Sequence, residues 1–135
     1  MSSHYFVDTH TLLWHLTKDQ RLGRAALQVF SDPDARFFLP VIALAEALFI
    51  LERKTGLYAL TEQQLLESIR QDARIEVVGL DAAVLVKTLD CTAIPEMHDR
   101  QIVATALLAQ EAGVDVAILT RDANITESGL VPCVW

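Results

Sequence analysis

Four acidic side chains stand out for the company they keep: Asp8, Glu46, Asp99 and Asp122. Asp8 directly follows the apolar run Tyr5-Phe6-Val7, and Asp122 comes three residues after Val116-Ala117-Ile118-Leu119. Glu46 is the one polar side chain between Val41 and Leu51, so a helix there offers it hardly any wet face. Asp99 lies in Met97-His98-Asp99-Arg100-Gln101, at the start of a long helical stretch. A carboxylate buried without a partner costs roughly several kcal/mol, so such groups need a cation, a proton or strong hydrogen bonds. Four converging carboxylates suit a hard cation, Mg²⁺ or Mn²⁺, and the metal-assisted chemistry such an ion brings. Each acid also has a plainer reading. Asp8 and Asp122 are good helix caps, Asp99 is favoured by a helix dipole, and Glu46 can pair with an arginine.

Other chemistries find less support. His4, His10, His15 and His98 show neither HExxH nor a paired-cysteine pattern, which argues against zinc. Neither GxxxxGK[ST] nor GxGxxG occurs, and GxSxG is missing. Cys91 and Cys133 lack metal or CxxC spacing and read as reduced core thiols. A Mg²⁺-dependent phosphoryl-transfer domain, with Asp8 as nucleophile, is the rival enzyme. A haloacid-dehalogenase-type phosphatase wants a second acid where His10 stands, and a receiver domain wants a lysine near Arg121.

The elements that must position these acids alternate between strand and helix. Tyr5–Val7 is a first strand, with helices over Thr9–Leu16 and about Gly23–Phe30. Arg36–Leu39 is a second strand, stopped by Pro40. Val41–Lys54 is a nearly all-apolar helix ending at Gly56, which suits a left-handed cap. Thr61-Glu62-Gln63-Gln64 fits a capping box, with Leu65, Leu66 and Ile69 on one face behind it. Ile75–Val78 is a third strand, Asp81 caps a helix to about Leu89, and Pro95-Glu96 opens another to Gly113. Val116–Leu119 is a fully apolar strand of the kind buried in a parallel sheet, and Val131–Val134 is an edge strand that tolerates Pro132. This alternation predicts an α/β three-layer sandwich around a parallel sheet. Sites in such folds lie beyond the carboxyl ends of the strands, where the strand order switches.

The chain has 135 residues, 52% of them hydrophobic, which predicts one domain over residues 1–135 with a substantial core. No apolar run is long enough for a membrane span: Phe37–Leu51 is broken by Pro40 and Glu46. The start, Met-Ser-Ser-His, shows no basic leader, so the expected location is the cytoplasm. A net charge of −7 argues against general nucleic-acid binding, unless the acids hold metal and cations such as Arg21, Arg24, Arg36, Arg53, Lys54, Arg100 and Arg121 line one groove. It also leaves room for a basic protein partner.

Four segments together resemble a PIN domain, specifically the VapC-type toxin ribonucleases of bacterial toxin–antitoxin pairs. They are Tyr5-Phe6-Val7-Asp8-Thr9-His10-Thr11-Leu12-Leu13-Trp14, Ala45-Glu46, Ile94 through Ala106, and Leu119-Thr120-Arg121-Asp122. The resemblance covers essentially the whole chain and implies a PIN-like sheet of about five parallel strands. It implies that Asp8, Glu46, Asp99 and Asp122 bind metal, with Thr9, Thr120 and Arg121 in support. His98 stands where related sequences often have proline. The implied reaction is Mg²⁺- or Mn²⁺-dependent hydrolysis of RNA, leaving a 5′-phosphate and a 3′-hydroxyl. Arg100, Arg53 and Lys54 are candidate RNA contacts. A cognate antitoxin is the implied partner, its groove drawn from Trp14, Leu48, Phe49, Leu51, Leu57 and Tyr58, alongside a homodimer or toxin–antitoxin hetero-oligomer. A PIN nuclease of ordinary RNA turnover and a PIN module that binds RNA or protein without cutting are the alternatives.

Overall fold

The computed structural model describes residues 3–135; Met1 and Ser2, part of the leader-free start read from the sequence, lie outside the described residues. The strands are β1 (His4–Val7), β2 (Arg36–Pro40), β3 (Ile75–Val78), β4 (Val116–Leu119) and β5 (Cys133–Val134). They form one sheet in the order β3-β2-β1-β4-β5, and every pairing is parallel. The chain therefore builds outward from β1 through β2 to β3, then returns to β1's other side with β4. The switch in strand order falls between β1 and β4.

Side chains alternate across each strand, so one strand feeds two cores. Tyr5 and Val7 of β1, with Ala117 and Leu119 of β4, join the core under α1 (Thr9–Leu16), α2 (Arg24–Ser31), α3 (Val41–Arg53) and α4 (Glu62–Gln71). Phe6, Val116 and Ile118 point the other way, against α5 (Ala82–Lys87), α6 (Met97–Glu111) and α7 (Ala123–Thr126). This is the α/β three-layer sandwich that the alternation of elements implies. All four residues of β4 are buried, as befits a strand covered on both faces.

Local signals explain most boundaries. Thr61 and Gln64 form the reciprocal capping box that starts α4. Gly56 has φ +85°, but it lies beyond the Lys54 cap of α3, in the turn closed by the Leu57 amide on the Lys54 carbonyl. Several expectations needed correction. Leu66 is 47% exposed while Leu65 and Ile69 are buried, so the apolar stripe of α4 is narrower than its sequence. The helix capped by Asp81 ends at Lys87 and tightens into a 3-10 turn over Thr88–Cys91. The last strand keeps only Cys133 and Val134, although the Pro132 carbonyl still accepts from the Ile118 amide. Finally, α3 is not enclosed on all sides: Ala45 and Phe49 are exposed, because α3 packs on α1, α4 and α6 and leaves one apolar face uncovered.

Candidate active site

The carboxyl end of β1 places Asp8 at the switch point, and the buried carboxylate there has two tasks. Its Oδ1 accepts from the Thr11 amide at 2.9 Å, capping α1, while Oδ2 accepts from the Thr120 hydroxyl. The cap reading and the site reading of Asp8 therefore coexist in one side chain. Thr120 also accepts from the Asp122 amide at 3.0 Å, so Asp8, Thr120 and Asp122 form a hydrogen-bonded chain across the ends of β1 and β4. Asp122 in turn caps α7 through the Asn124 amide at 2.8 Å. The Thr11 hydroxyl donates to the Leu119 carbonyl at 2.8 Å, which ties the start of α1 to the end of β4. These bonds fix the backbone under both aspartates.

Glu46 approaches from α3. Its Oε1 accepts from the Thr9 hydroxyl at 2.5 Å, and its Oε2 lies 3.2 Å from His98 Nδ1. Its partners are thus a threonine and a histidine, and its side chain is only partly buried. Asp99 sits in the first turn of α6, with its amide donating to the Glu96 cap at 2.8 Å. Burial pushes the Asp99 carboxyl up to about 7, helped by the negative charges of Asp122, Glu96, Asp8 and Glu46. Burial also raises Asp8, outweighing the hydrogen bonds from Thr11 and Thr120 that favour its charged form. Residues far apart in sequence thus share one electrostatic neighbourhood.

The donor set fits a hard divalent cation: carboxylate oxygens, steadied by threonine hydroxyls, in a patch with surplus negative charge. Among the described residues, no three His, Cys, Asp or Glu side chains already close around a point. Mg²⁺ keeps several waters and is bound through only one or two carboxylates. Asp8, Glu46, Asp99 and Asp122 are the carboxylates that would hold such an ion.

A cleft of about 490 Å³ adjoins Asp8 and Asp122, and its lining includes Trp14, Arg21, Lys54, Tyr58 and Arg121. Lys54, Arg121, Trp14 and Tyr58 of the sequence reading therefore meet there, with exposed Leu57. Arg100 does not: its guanidinium donates to the Ile94 and Thr92 carbonyls and lines a different cavity with Met97 and Gln101. Arg53 lies over the Phe49 ring, 5.2 Å from its centroid, outside the cleft lining. Leu51 is in the core, Leu48 is partly buried against it, and Phe49 is 56% exposed on the uncovered face of α3. Sequence reasoning undervalued three residues. Glu96 was legible as a helix start and His98 as a departure from related sequences, and Arg21 had no signal beyond its charge.

The sequence pattern that defines the PIN domain matches residues 5–128. Among solved structures of similar shape is VapC20 of Mycobacterium tuberculosis, described as a toxin cleaving the sarcin–ricin loop. It is 15% identical, with TM-score 0.66 over 94% of this chain and 96% of that one. VapBC2 of Rickettsia felis, bound to a promoter DNA fragment, is 12% identical, with TM-score 0.68 over 97% of each chain. DNA-bound VapBC of Salmonella typhimurium is 17% identical, with TM-score 0.65 over 99% and 98%. Identities this low establish a shared fold. No curated protein sequence matches the chain. The matched pattern spans nearly the whole chain and includes all four acids, and the chain belongs to the PIN domain family.

Proposed function

We propose that this protein, a single PIN domain over residues 1–135, is a Mg²⁺- or Mn²⁺-dependent endoribonuclease and the toxin of a toxin–antitoxin pair. The observation that carries the reading is the convergence at the strand-order switch: Asp8 and Asp122 are linked through Thr120, and Glu46 is tied through Thr9 to the residue beside Asp8. Carboxylates set together in this way call for a cation.

A bound divalent ion supplies charge for the phosphodiester oxygens and lowers the pKa of an attacking water. The chain's own residues do the rest. Thr11 and Thr120 hold Asp8 with both oxygens engaged, so its carboxylate plane is fixed before any ligand arrives. Thr9 and His98 hold Glu46 from opposite oxygens. Asp99 enters from the first turn of α6, where its amide is held by the Glu96 cap.

The partner reading rests on the neighbours: VapBC and FitAB assemblies share this fold. A cognate antitoxin is the corresponding partner here, seated along the uncovered apolar face of α3 near Leu48 and Phe49, with a homodimer as the form it binds. No helix among the described residues is long and apolar enough to cross a membrane. The test is cleavage of defined RNAs in Mn²⁺, with EDTA as control. Strand scission in Mn²⁺ that EDTA abolishes supports the reading. Intact RNA after incubation with metal-loaded protein rejects it in favour of a PIN module that binds without cutting.

A further inference from the structure

His98, in the first turn of α6, stands between two carboxylates that belong to different elements. Its Nδ1 lies 3.2 Å from Glu46 Oε2 on α3 and 3.4 Å from Oε1 of Glu96, the cap of α6. An ionised carboxylate offers only lone pairs, so Nδ1 is the ring nitrogen that carries hydrogen in this arrangement. Each carboxylate is also engaged at its other oxygen. Glu46 Oε1 accepts from the Thr9 hydroxyl at 2.5 Å, and Glu96 Oε2 accepts from the Asp99 amide at 2.8 Å. One continuous chain results: Thr9, Glu46, His98, Glu96 and the backbone of Asp99. It starts beside Asp8 and ends on Asp99. Among the described residues, no other side-chain hydrogen bond joins α3 to α6.

We infer that His98 is a positioning residue: through Nδ1 it sets the Glu46 carboxylate on α3 against Asp99 on α6, and Glu96 holds the ring in place. The inference rests on the metal-site reading and adds to it a residue outside the four acids. A glutamate side chain turns about three bonds, so a single contact to Thr9 leaves its outer oxygen free to swing. A second donor, on a flat ring held by its own carboxylate, removes that freedom. The His98 and Glu46 side chains are each about two-thirds buried, where a hydrogen bond to a carboxylate is less weakened by water. Arg100, the nearest cation along α6, does not compete for the task, because its guanidinium is committed to the Ile94 and Thr92 carbonyls. A histidine that merely tied α6 to α3 for the sake of the fold would leave the ion-binding properties of Glu46 unchanged in the folded protein.

The experiment is the Mn²⁺ affinity of the full chain, read from the electron paramagnetic resonance signal of free Mn²⁺, with a melting curve for every variant. His98→Phe keeps a ring and removes the donor, and it is expected to weaken Mn²⁺ binding by about 10-fold. His98→Asn puts an amide N–H where Nδ1 stands and is expected to restore binding to within a few-fold of wild type. His98→Ala repeats the loss of the donor if the phenyl ring disturbs folding. In a Glu46→Ala background, His98→Phe is expected to add nothing, because the side chain it acts through is gone. Wild-type affinity in folded His98→Phe or His98→Ala overturns the inference. So does a His98→Asn variant as weak as His98→Phe. A loss of about 10-fold that persists in the Glu46→Ala background overturns it too, and makes His98 itself a ligand. The metal-site reading fails differently: wild-type protein that leaves all Mn²⁺ free rejects the site, and the positioning role with it.

Discussion

The two ends of the sheet handle buried charge in opposite ways. At the amino ends of β2 and β3, Arg74 donates to the Phe30 and Asp32 carbonyls at 2.8 Å, pairs with Asp72 at 2.9 Å and lies over the Phe37 ring. Its hydrogen bonds hold the Asp72 carboxyl below its usual range. Beside it His15 stacks on Phe30 at 3.8 Å, and burial with the Arg74 charge lowers the imidazole to about 4. At the carboxyl ends of β1 and β4 the acids gather without a paired lysine or arginine, and Asp99 moves up to about 7. The same residue type titrates in opposite directions because one end neutralises its charges and the other concentrates them. Paired charge serves the fold, and unpaired charge of one sign is available to a ligand.

The sharpest way to break this contrast is Asp8→Asn. An asparagine still accepts from the Thr11 amide, so the cap of α1 survives while the charge is lost. RNA cleavage in Mn²⁺ should fall by at least about 100-fold, about 2.7 kcal/mol of barrier, with the melting temperature nearly kept. Rates within a few-fold of wild type remove Asp8 from the chemistry.

Metal should act on one end only. Saturating Mn²⁺, at about 100 times its dissociation constant, should raise stability by about 2.7 kcal/mol. The shift should shrink in Asp8→Asn and Asp122→Asn and persist in Arg74→Ala. A melting curve indifferent to Mn²⁺ contradicts a metal site at the switch point.

Arg74→Ala is the converse perturbation. It strips donors from two carbonyls and a carboxylate and should destabilise the fold by about 2 kcal/mol in urea titration. Cleavage per folded molecule should be unaffected, and a large loss of activity would show that the two ends are coupled.

The last contrast is in pH dependence, and its sign differs between the ends. Asp99 is raised from 3.8 to about 7, so the folded state holds its proton more tightly. That contribution is complete below pH 3.8 and disappears as pH rises through about 7. Asp72 is lowered, so its contribution is present above pH 3.8 and lost as pH falls through the folded value. His15 acts in the same sense, opposing folding as pH drops from 6.5 toward 4. In metal-free protein, Asp99→Asn should therefore make stability rise more steeply between pH 4 and 7, measured by thermal melts. An identical slope in wild type and variant means that Asp99 is not crowded in solution. Mn²⁺ competes with the Asp99 proton, so its affinity should increase over the same interval.

Much of the fold is legible in the sequence because β4 and α3 are apolar runs of different length and because Thr61-x-x-Gln64 and Asp81 are local caps. The burial of α3 was overread. Its sequence is apolar all round, but hydrophobicity does not say whether a neighbouring element or another molecule covers the last face. Asp8 and Asp122 lie just past the carboxyl ends of β1 and β4, as their positions after apolar runs imply, because topology sets the address of residues that follow a parallel strand. Arg100 was misplaced for a physical reason: its long side chain turned back to two carbonyls left open by the loop before α6.

The alternation of elements and the position of Asp8 and Asp122 just past strands are properties of the sequence, since strand period, helix caps and strand-end position are local. Which acids feel one another, and which cations share their cleft, is decided only when β4 inserts beside β1 and α3 and α6 close over that edge. Electrostatic neighbourhoods depend on distance through space and on burial, and neither is encoded by any one segment.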